Sequence, residues 1–212
     1  MRWGFGIGYA AALLGLVSER HAADTSVVVD AETGFTFSQY SAAYKLGADS
    51  ILYRIAIPSP ASDNYDAVLQ VIAPTDVGWA GLAWGGQMIN CPLTVGWASG
   101  NTPVVSVFHS TSHIEPKPYT GATLQLLKTG TKVNATHWQY TAKCMGCTSF
   151  IGSDNATKRL NPTGSNRLAF AESKLNSDSV GGLTVHDVYN YWDHDFAAAG
   201  NTEFESLVQK NM

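Results

Sequence analysis

Met88 and His186 carry the most specific chemistry this sequence offers. Met88 closes the segment Gly78-Trp79-Ala80-Gly81-Leu82-Ala83-Trp84-Gly85-Gly86-Gln87-Met88, in which glycine and tryptophan surround a lone thioether. His186 sits far downstream in Leu183-Thr184-Val185-His186-Asp187. A thioether and an imidazole form a known axial pair for a six-coordinate haem that moves single electrons. Each residue also has a plainer reading. A lone methionine ordinarily fills core space, and a histidine beside an aspartate ordinarily lies at a surface. Gly85-Gly86 is the unusual feature of the methionine segment, because glycines weaken a strand unless something approaches the backbone closely. A flat macrocycle would supply that reason. For His186, a carboxylate or carbonyl on the second ring nitrogen would fix the tautomer of a metal-bound imidazole. His194, between Asp193 and Asp195, is the competing imidazole and has the more solvated surroundings.

The cysteines offer different chemistry. Cys144-Met145-Gly146-Cys147 follows an apolar run ending at Lys143. A redox pair of the thioredoxin kind opens a helix after a strand, which Gly146, Thr148 and Ser149 do not favour. Residue 148 is threonine, so the covalent haem motif C-x-x-C-H is absent and any haem is held non-covalently. A zinc site needs further ligands at sensible spacing, and none stands out. The leading reading is a structural disulfide between Cys144 and Cys147, with Cys91 left as a buried, inert thiol. A secreted thiol-disulfide protein using Cys144 and Cys147 stays as a weaker option. Phosphate loops, the dinucleotide fingerprint and the Gly-x-Ser-x-Gly elbow are all missing.

Around these residues lies a chain of 212 residues, 45% hydrophobic, with 14% charged residues and a net charge of -4. That supports one domain with a substantial core and offers no basic patch for nucleic acid. Arg2 followed by the apolar, small-residue run Trp3 to Val17 and His21-Ala22-Ala23 reads as a secretory signal over residues 1–23. No second apolar run reaches membrane-spanning length, so the mature product, 24–212, is expected to be secreted, extracellular and without a membrane span. Asn134-Ala135-Thr136 and Asn155-Ala156-Thr157 are N-glycan acceptor sequences, making Asn134 and Asn155 candidate glycosylation sites, whereas Asn161-Pro162-Thr163 is blocked by its proline.

The elements that position these residues read as strands. Short apolar runs at Ser26 to Val29, Ser50 to Ile57, Ala67 to Ala73, Leu93 to Trp97, Val104 to Phe108, Thr123 to Leu127, Thr136 to Ala142 and Arg167 to Ala171 are separated by turn signals. The run from Thr136 alternates with a period near 2, placing Trp138 and Tyr140 on one face. Asp193 to Val208 is the one stretch with room for a short helix, and Asn176 to Gly182 reads as a loop. Strands at this spacing predict an all-β sandwich or barrel.

Four segments resemble the haem b cytochrome domain of fungal cellobiose dehydrogenases, in the iron-reductase group related to DOMON domains. They are Gly78 to Met88 with Pro92-Leu93-Thr94-Val95-Gly96-Trp97, the turn Pro118-Tyr119-Thr120-Gly121, His137-Trp138 through Cys147-Thr148-Ser149, and Leu183 to Asp187 with Asp195-Phe196 beyond it. The similarity runs from Asp30 to the C-terminus. It implies a two-sheet antiparallel, immunoglobulin-like β-sandwich with a haem pocket at one end. It implies Met88 and His186 as axial ligands of a non-covalent haem b, with the spacing to Asp195-Phe196 selecting His186 over His194. The family often carries an arginine and then a tyrosine where the chain meets the haem edge. Here Phe108 and His113 fall there, so His113 becomes the substitute polar contact, with Tyr119 also assigned to the cofactor. The implied role is an extracellular electron carrier rather than a complete enzyme. Its donor is a flavin dehydrogenase, and its acceptor a copper polysaccharide monooxygenase, a ferric complex or a quinone. Larger relatives continue into a flavin domain that does not follow here, so the chain reads as a free-standing cytochrome or a shortened gene product. The alternative is a haem-free, DOMON-like secreted sandwich that binds carbohydrate or a protein partner.

Overall fold

The computed structural model describes residues 24–47, 49–175 and 182–212. The expected leader, 1–23, and residues 176–181 of the expected loop lie outside the described residues. The first strands are β1 (Ser26–Val29), β2 (Thr36–Ala42), β3 (Ile51–Pro58), β4 (Ala67–Pro74) and β5 (Trp79–Ala83). Then come β6 (Leu93–Ser99), β7 (Thr102–His109), β8 (Lys117–Pro118), β9 (Thr123–Val133) and β10 (His137–Met145). The last strands are β11 (Ser149–Ile151), β12 (Thr157–Arg159), β13 (Ser165–Ser173), β14 (Val188–Asp195) and β15 (Gly200–Asn201), followed by helix α1 (Phe204–Asn211). One sheet is ordered β1-β2-β3-β4-β10-β9, with β15 on β3, and the other β14-β13-β5-β6-β7-β8, while β11 and β12 form a small ribbon. Apart from β15 against β3, the ladders are antiparallel. This is the expected two-sheet sandwich.

The alternation read in β10 is what closes it. Trp138, Tyr140, Ala142 and Cys144 are all buried in one cluster between the sheets. Burying an aromatic side chain of this size contributes roughly 4 kcal/mol at about 25 cal/mol per Å². A Cβ at Gly96 would stand 2.2 Å from the Tyr140 ring, so a side chain on β6 here would hold the sheets apart. This contact also fixes the faces of the six-stranded sheet. Position 96 points inward, as do Ala80 and then Glu172, which lie opposite it in turn. By alternation, Gly81, Val95 and Ala171 point outward.

The outer face of the seven-stranded sheet is built differently. Gln39, Arg54, Gln70 and Thr141 lie opposite one another across β2, β3, β4 and β10. Their side chains join in a continuous row: Arg54 Nε donates to Gln39 at 2.7 Å, Arg54 Nη1 to Gln70 at 2.8 Å, and Gln70 Nε2 to Thr141 Oγ1 at 3.0 Å. Beside the row, Phe204 and Val208 of α1 pack with Phe35, Phe37 and Leu127 in a second apolar cluster.

Two local expectations change. The helix expected somewhere in Asp193 to Val208 occupies only its end, because Val188 to Asp195 is a strand. There, Trp192 and His194 alternate inward with the period of an edge strand. The strand carrying the Gly/Trp-rich segment ends at Ala83, so Met88 lies in the loop after it. Among the described residues no helix is long and apolar enough to cross a membrane.

Candidate functional site

The register places Met88 and His186 at opposite ends of β5. Met88 lies in the loop that leaves the Ala83 end. His186 lies two residues before Val188, which pairs with Glu172, which pairs in turn with Ala80. Trp79 to Ala83 spans roughly 14 Å at about 3.4 Å per residue. Between the two segments the outward surface is made of small side chains: Gly81 and Ala83 of β5, opposite Ala171 and Ala169 of β13. Bulk stands around this floor, with Trp79 and Trp97 on one side and Tyr189 and Tyr191 on the other.

The His186 segment is tied down through side chains. Trp79 Nε1 donates to Thr184 Oγ1 at 3.0 Å, and Thr184 Oγ1 is 3.3 Å from Ser173 Oγ. Ser173 Oγ in turn lies 3.3 Å from Asp187 Oδ2, which also accepts from the Lys174 amide at 2.9 Å. The Asp187 amide donates to the Glu172 carbonyl at 2.7 Å. The carboxylate next to His186 therefore fixes the backbone of the segment. The imidazole is half-buried and meets the Tyr189 ring edge-on, with centroids 4.9 Å apart.

The Met88 loop is tied mainly through backbone. Trp84 N–H donates to the Pro92 carbonyl at 3.1 Å, closing its base, and Asn90 N–H donates to the Ser110 carbonyl at 2.8 Å. Met88 is half-buried and packs against the main core cluster. The expectation that Gly85 and Gly86 admit a macrocycle is corrected. A Cβ at Gly85 would lie 2.7 Å from Cys91 Cβ, and one at Gly86, where φ is +71°, would lie 2.7 Å from Arg167 Cγ. These glycines let the loop close on the protein itself. Arg167 then lies over the Tyr191 ring, 4.7 Å from its centroid, and 3.5 Å from Asp193.

The other expected residues lie on several elements. Tyr119 is half-buried and stacks on His109 at 5.0 Å. His113 is exposed in the turn before β8. Cys144 and Cys147 are joined as a disulfide, and Cys91 is a buried free thiol. Asn134 and Asn155 are both exposed on turns, accessible to modification. The competing His194 is wholly buried. Its Nδ1 accepts from Trp192 Nε1–H at 3.0 Å, and its Nε2 meets no partner. Burial pushes its pKa down to about 3, against a weaker upward pull from the Ser38 backbone. It belongs to the sandwich interior, on the inward side of its strand.

Three further participants have roles that only the folded register creates. Thr184 and Ser173 form a relay that joins residues far apart in the chain, which no local pattern announces. Glu172 is buried with both carboxylate oxygens unpartnered. Burial holds its pKa above the ordinary carboxylate value, and Asp187 adds to that by repulsion.

The arrangement suits one planar metal macrocycle. A thioether and an imidazole at opposite ends of one strand, with a floor of small residues between them, could hold such a group from two sides. Among the described residues no group of three His, Cys, Asp or Glu side chains is placed to hold a bare metal ion. Comparisons with known proteins agree with the resemblance read from sequence. Residues 28–206 match the family described as the cytochrome domain of cellobiose dehydrogenase. A pyrroloquinoline quinone-dependent pyranose dehydrogenase of Coprinopsis cinerea is 30% identical over 190 residues, covering 85% of this chain and 25% of that protein. The chain thus spans about a quarter of the length of the curated relatives it matches. The cytochrome b domain of pyranose dehydrogenase from Coprinopsis cinerea superposes with a TM-score of 0.75 at 25% identity, over 88% of this chain and 95% of that one. The cytochrome domain of Myriococcum thermophilum cellobiose dehydrogenase also reaches 0.75, at 18% identity over 91% and 98%, a likeness of fold.

Proposed function

The chain belongs to the family of cellobiose dehydrogenase cytochrome domains, and from that premise we propose that it is a b-type cytochrome carrying single electrons. The observation behind the proposal is the placement of Met88 and His186 at opposite ends of β5 across a floor of small side chains. Non-covalent haem b, held by these two residues, supplies reversible one-electron chemistry at its iron, and the thioether favours the ferrous state. The residues of the chain do the remaining work. Met88 and His186 would hold the haem, and with both donors engaged the iron would offer no open site to oxygen or substrate. The Thr184–Ser173–Asp187 relay and the backbone-tied Met88 loop hold the donors in one geometry, which keeps reorganisation small. Trp79, Trp97 and the small floor residues exclude water from one side. On the family resemblance, Tyr119 and His113 are the proposed contacts at the cofactor's periphery.

The proposed donor is a sugar dehydrogenase. The family resemblance points to a flavin enzyme, while the name of the 30%-identical relative carries pyrroloquinoline quinone, so either organic cofactor fits the role. A copper polysaccharide monooxygenase, a ferric complex or a quinone is the proposed acceptor. The proposed location is extracellular, supported by the signal-like N-terminus, the disulfide and the exposed sequons.

Two variants test the site. Met88→Leu is expected to leave a five-coordinate or labile haem, with loss of the low-spin ferric spectrum and a lowered potential. An unchanged ferrous spectrum removes Met88 from the ligand set. Ala171→Leu places a larger side chain on the half-buried floor. It is expected to keep the fold, read by circular dichroism, and to reduce haem loading severalfold. Full loading would mean that the ring does not rest on this face.

The carbohydrate-binding alternative keeps one supporting observation: Tyr189 and Tyr191, 70% and 58% exposed, stand on one face of β14, a suitable platform for stacking on sugar rings. Oligosaccharide binding lost in Tyr189→Ala but kept in Met88→Leu would favour that reading.

A further inference from the structure

We infer that Cys91 is the positioning residue for Met88, its thiol bracing the loop that presents the thioether. The inference rests on the proposed ligation and concerns how firmly that ligand is held. Its basis is geometric. Cys91 is 1% exposed, and its Sγ–H donates to the Gln87 carbonyl at 2.9 Å. Gln87 immediately precedes Met88, so this bond crosses the loop next to the Met88 backbone. Gly85 has to be glycine for this approach, since a Cβ there would lie 2.7 Å from Cys91 Cβ and 3.2 Å from Sγ. The sulfur is thus the hub around which residues 85–91 turn.

The brace matters because the loop borders a cleft on one side. This open cleft of about 230 Å³ is lined by Gln87, Asn90, Cys91, Phe150 and Arg167 among others. Besides the packing of Met88 on the core, the loop is otherwise held by the Trp84–Pro92 and Gly86–Ala83 bonds at its base and the Asn90–Ser110 bond on the far side. Burial raises the thiol pKa to about 11, so at neutral pH the sulfur keeps the proton that it donates. A thioether is a weak, neutral ligand, and its retention depends on how little freedom its loop gains when the bond to iron opens.

The test compares wild type, Cys91→Ala and Cys91→Ser, loaded with haem. Cyanide binding to the ferric protein requires Met88 to leave, so its rate reports how tightly the loop holds the ligand. Cys91→Ala is expected to take cyanide about tenfold faster, the factor corresponding to the net worth of one hydrogen bond. Cys91→Ser keeps a donor and is expected to recover most of the wild-type rate. In the haem-free protein, the amides of Gln87 to Asn90 are expected to exchange hydrogen faster in Cys91→Ala alone. Equal cyanide rates in wild type and Cys91→Ala, or equal exchange in the haem-free forms, overturn the inference. Should Cys91→Ala fail to fold, Cys91→Val supplies an apolar branch without a donor for the same comparison. A wild-type protein that loads haem without a low-spin, thioether-ligated form would instead overturn the ligation, a separate and recognisable result.

Discussion

Replacing His186 with alanine is expected to strip the protein of stable haem while leaving the sandwich folded. On the proposed ligation the imidazole is the stronger of the two donors, and a thioether alone does not hold the iron. Losing an outer-shell partner already costs a metal site 10- to 100-fold in affinity, so losing a ligand should weaken haem binding by roughly 100-fold or more. The fold should survive, because the segment is anchored by Thr184 and Asp187 rather than by the ring. Trp79 still donates to Thr184, and Asp187 still accepts from Lys174. Haem titration followed by absorbance reads the affinity, and circular dichroism reads the fold. If His186→Ala binds haem like wild type while folded His194→Ala does not, the ligand has been misassigned.

Acid is expected to unfold the protein through His194. The ring is neutral in the folded state, with its pKa lowered from 6.5 to about 3 by burial. A pKa depressed in the folded state means that the unfolded chain takes up the proton first. The stabilising contribution is therefore complete above pH 6.5 and is lost progressively as pH falls towards 3. The slope is about 1.4 kcal/mol per pH unit for one group, against a total stability that is typically 5–15 kcal/mol for a domain. Glu172 acts in the opposite sense. Its carboxyl is held above the ordinary value, so its contribution is complete at low pH and is lost as pH rises through the raised value. Denaturant midpoints measured across pH 4 to 7 would separate the two. His194→Leu should flatten the acid limb, at a cost of about 1–3 kcal/mol at neutral pH for leaving the Trp192 N–H without an acceptor. Glu172→Gln should leave that limb in place. An acid limb unchanged in His194→Leu would place the sensitive group elsewhere.

Both histidines were visible in the sequence, and their roles separate for physical reasons. His194 looked solvated because aspartates flank it. In a strand, however, Asp193 and Asp195 project to the opposite face from His194, so flanking charge says nothing about the residue between them. The same alternation made Trp138 and Tyr140 legible, because there the apolar partners announced the buried face. β14 alternates tyrosine with asparagine and tryptophan with aspartate, and its hydrophobic signal is weak for that reason. The proposed donors, Met88 and His186, are legible as residue types, and the family resemblance ranks them. Their supports are not. Trp79 and Thr184 meet across 105 positions of chain, a contact that only the folded register creates. Gly85 marks a close approach, but its neighbour is a thiol of the same loop and not a cofactor. Such an assignment depends on distances of a few tenths of an ångström, which spacing along the chain does not encode.

The two sheets complete their outer faces by different means. One is covered by the chain's own helix, through Phe204 and Val208. The other keeps Val185, Tyr189 and Tyr191 exposed at 84%, 70% and 58% around a floor of small side chains. In the proposed function a molecule made elsewhere completes that second surface. Cofactor supply during synthesis then becomes a matter of solubility as well as of redox competence. Copies released before they are loaded present a sticky aromatic and aliphatic rim to one another, so the yield of dispersed product should follow the metabolic availability of haem.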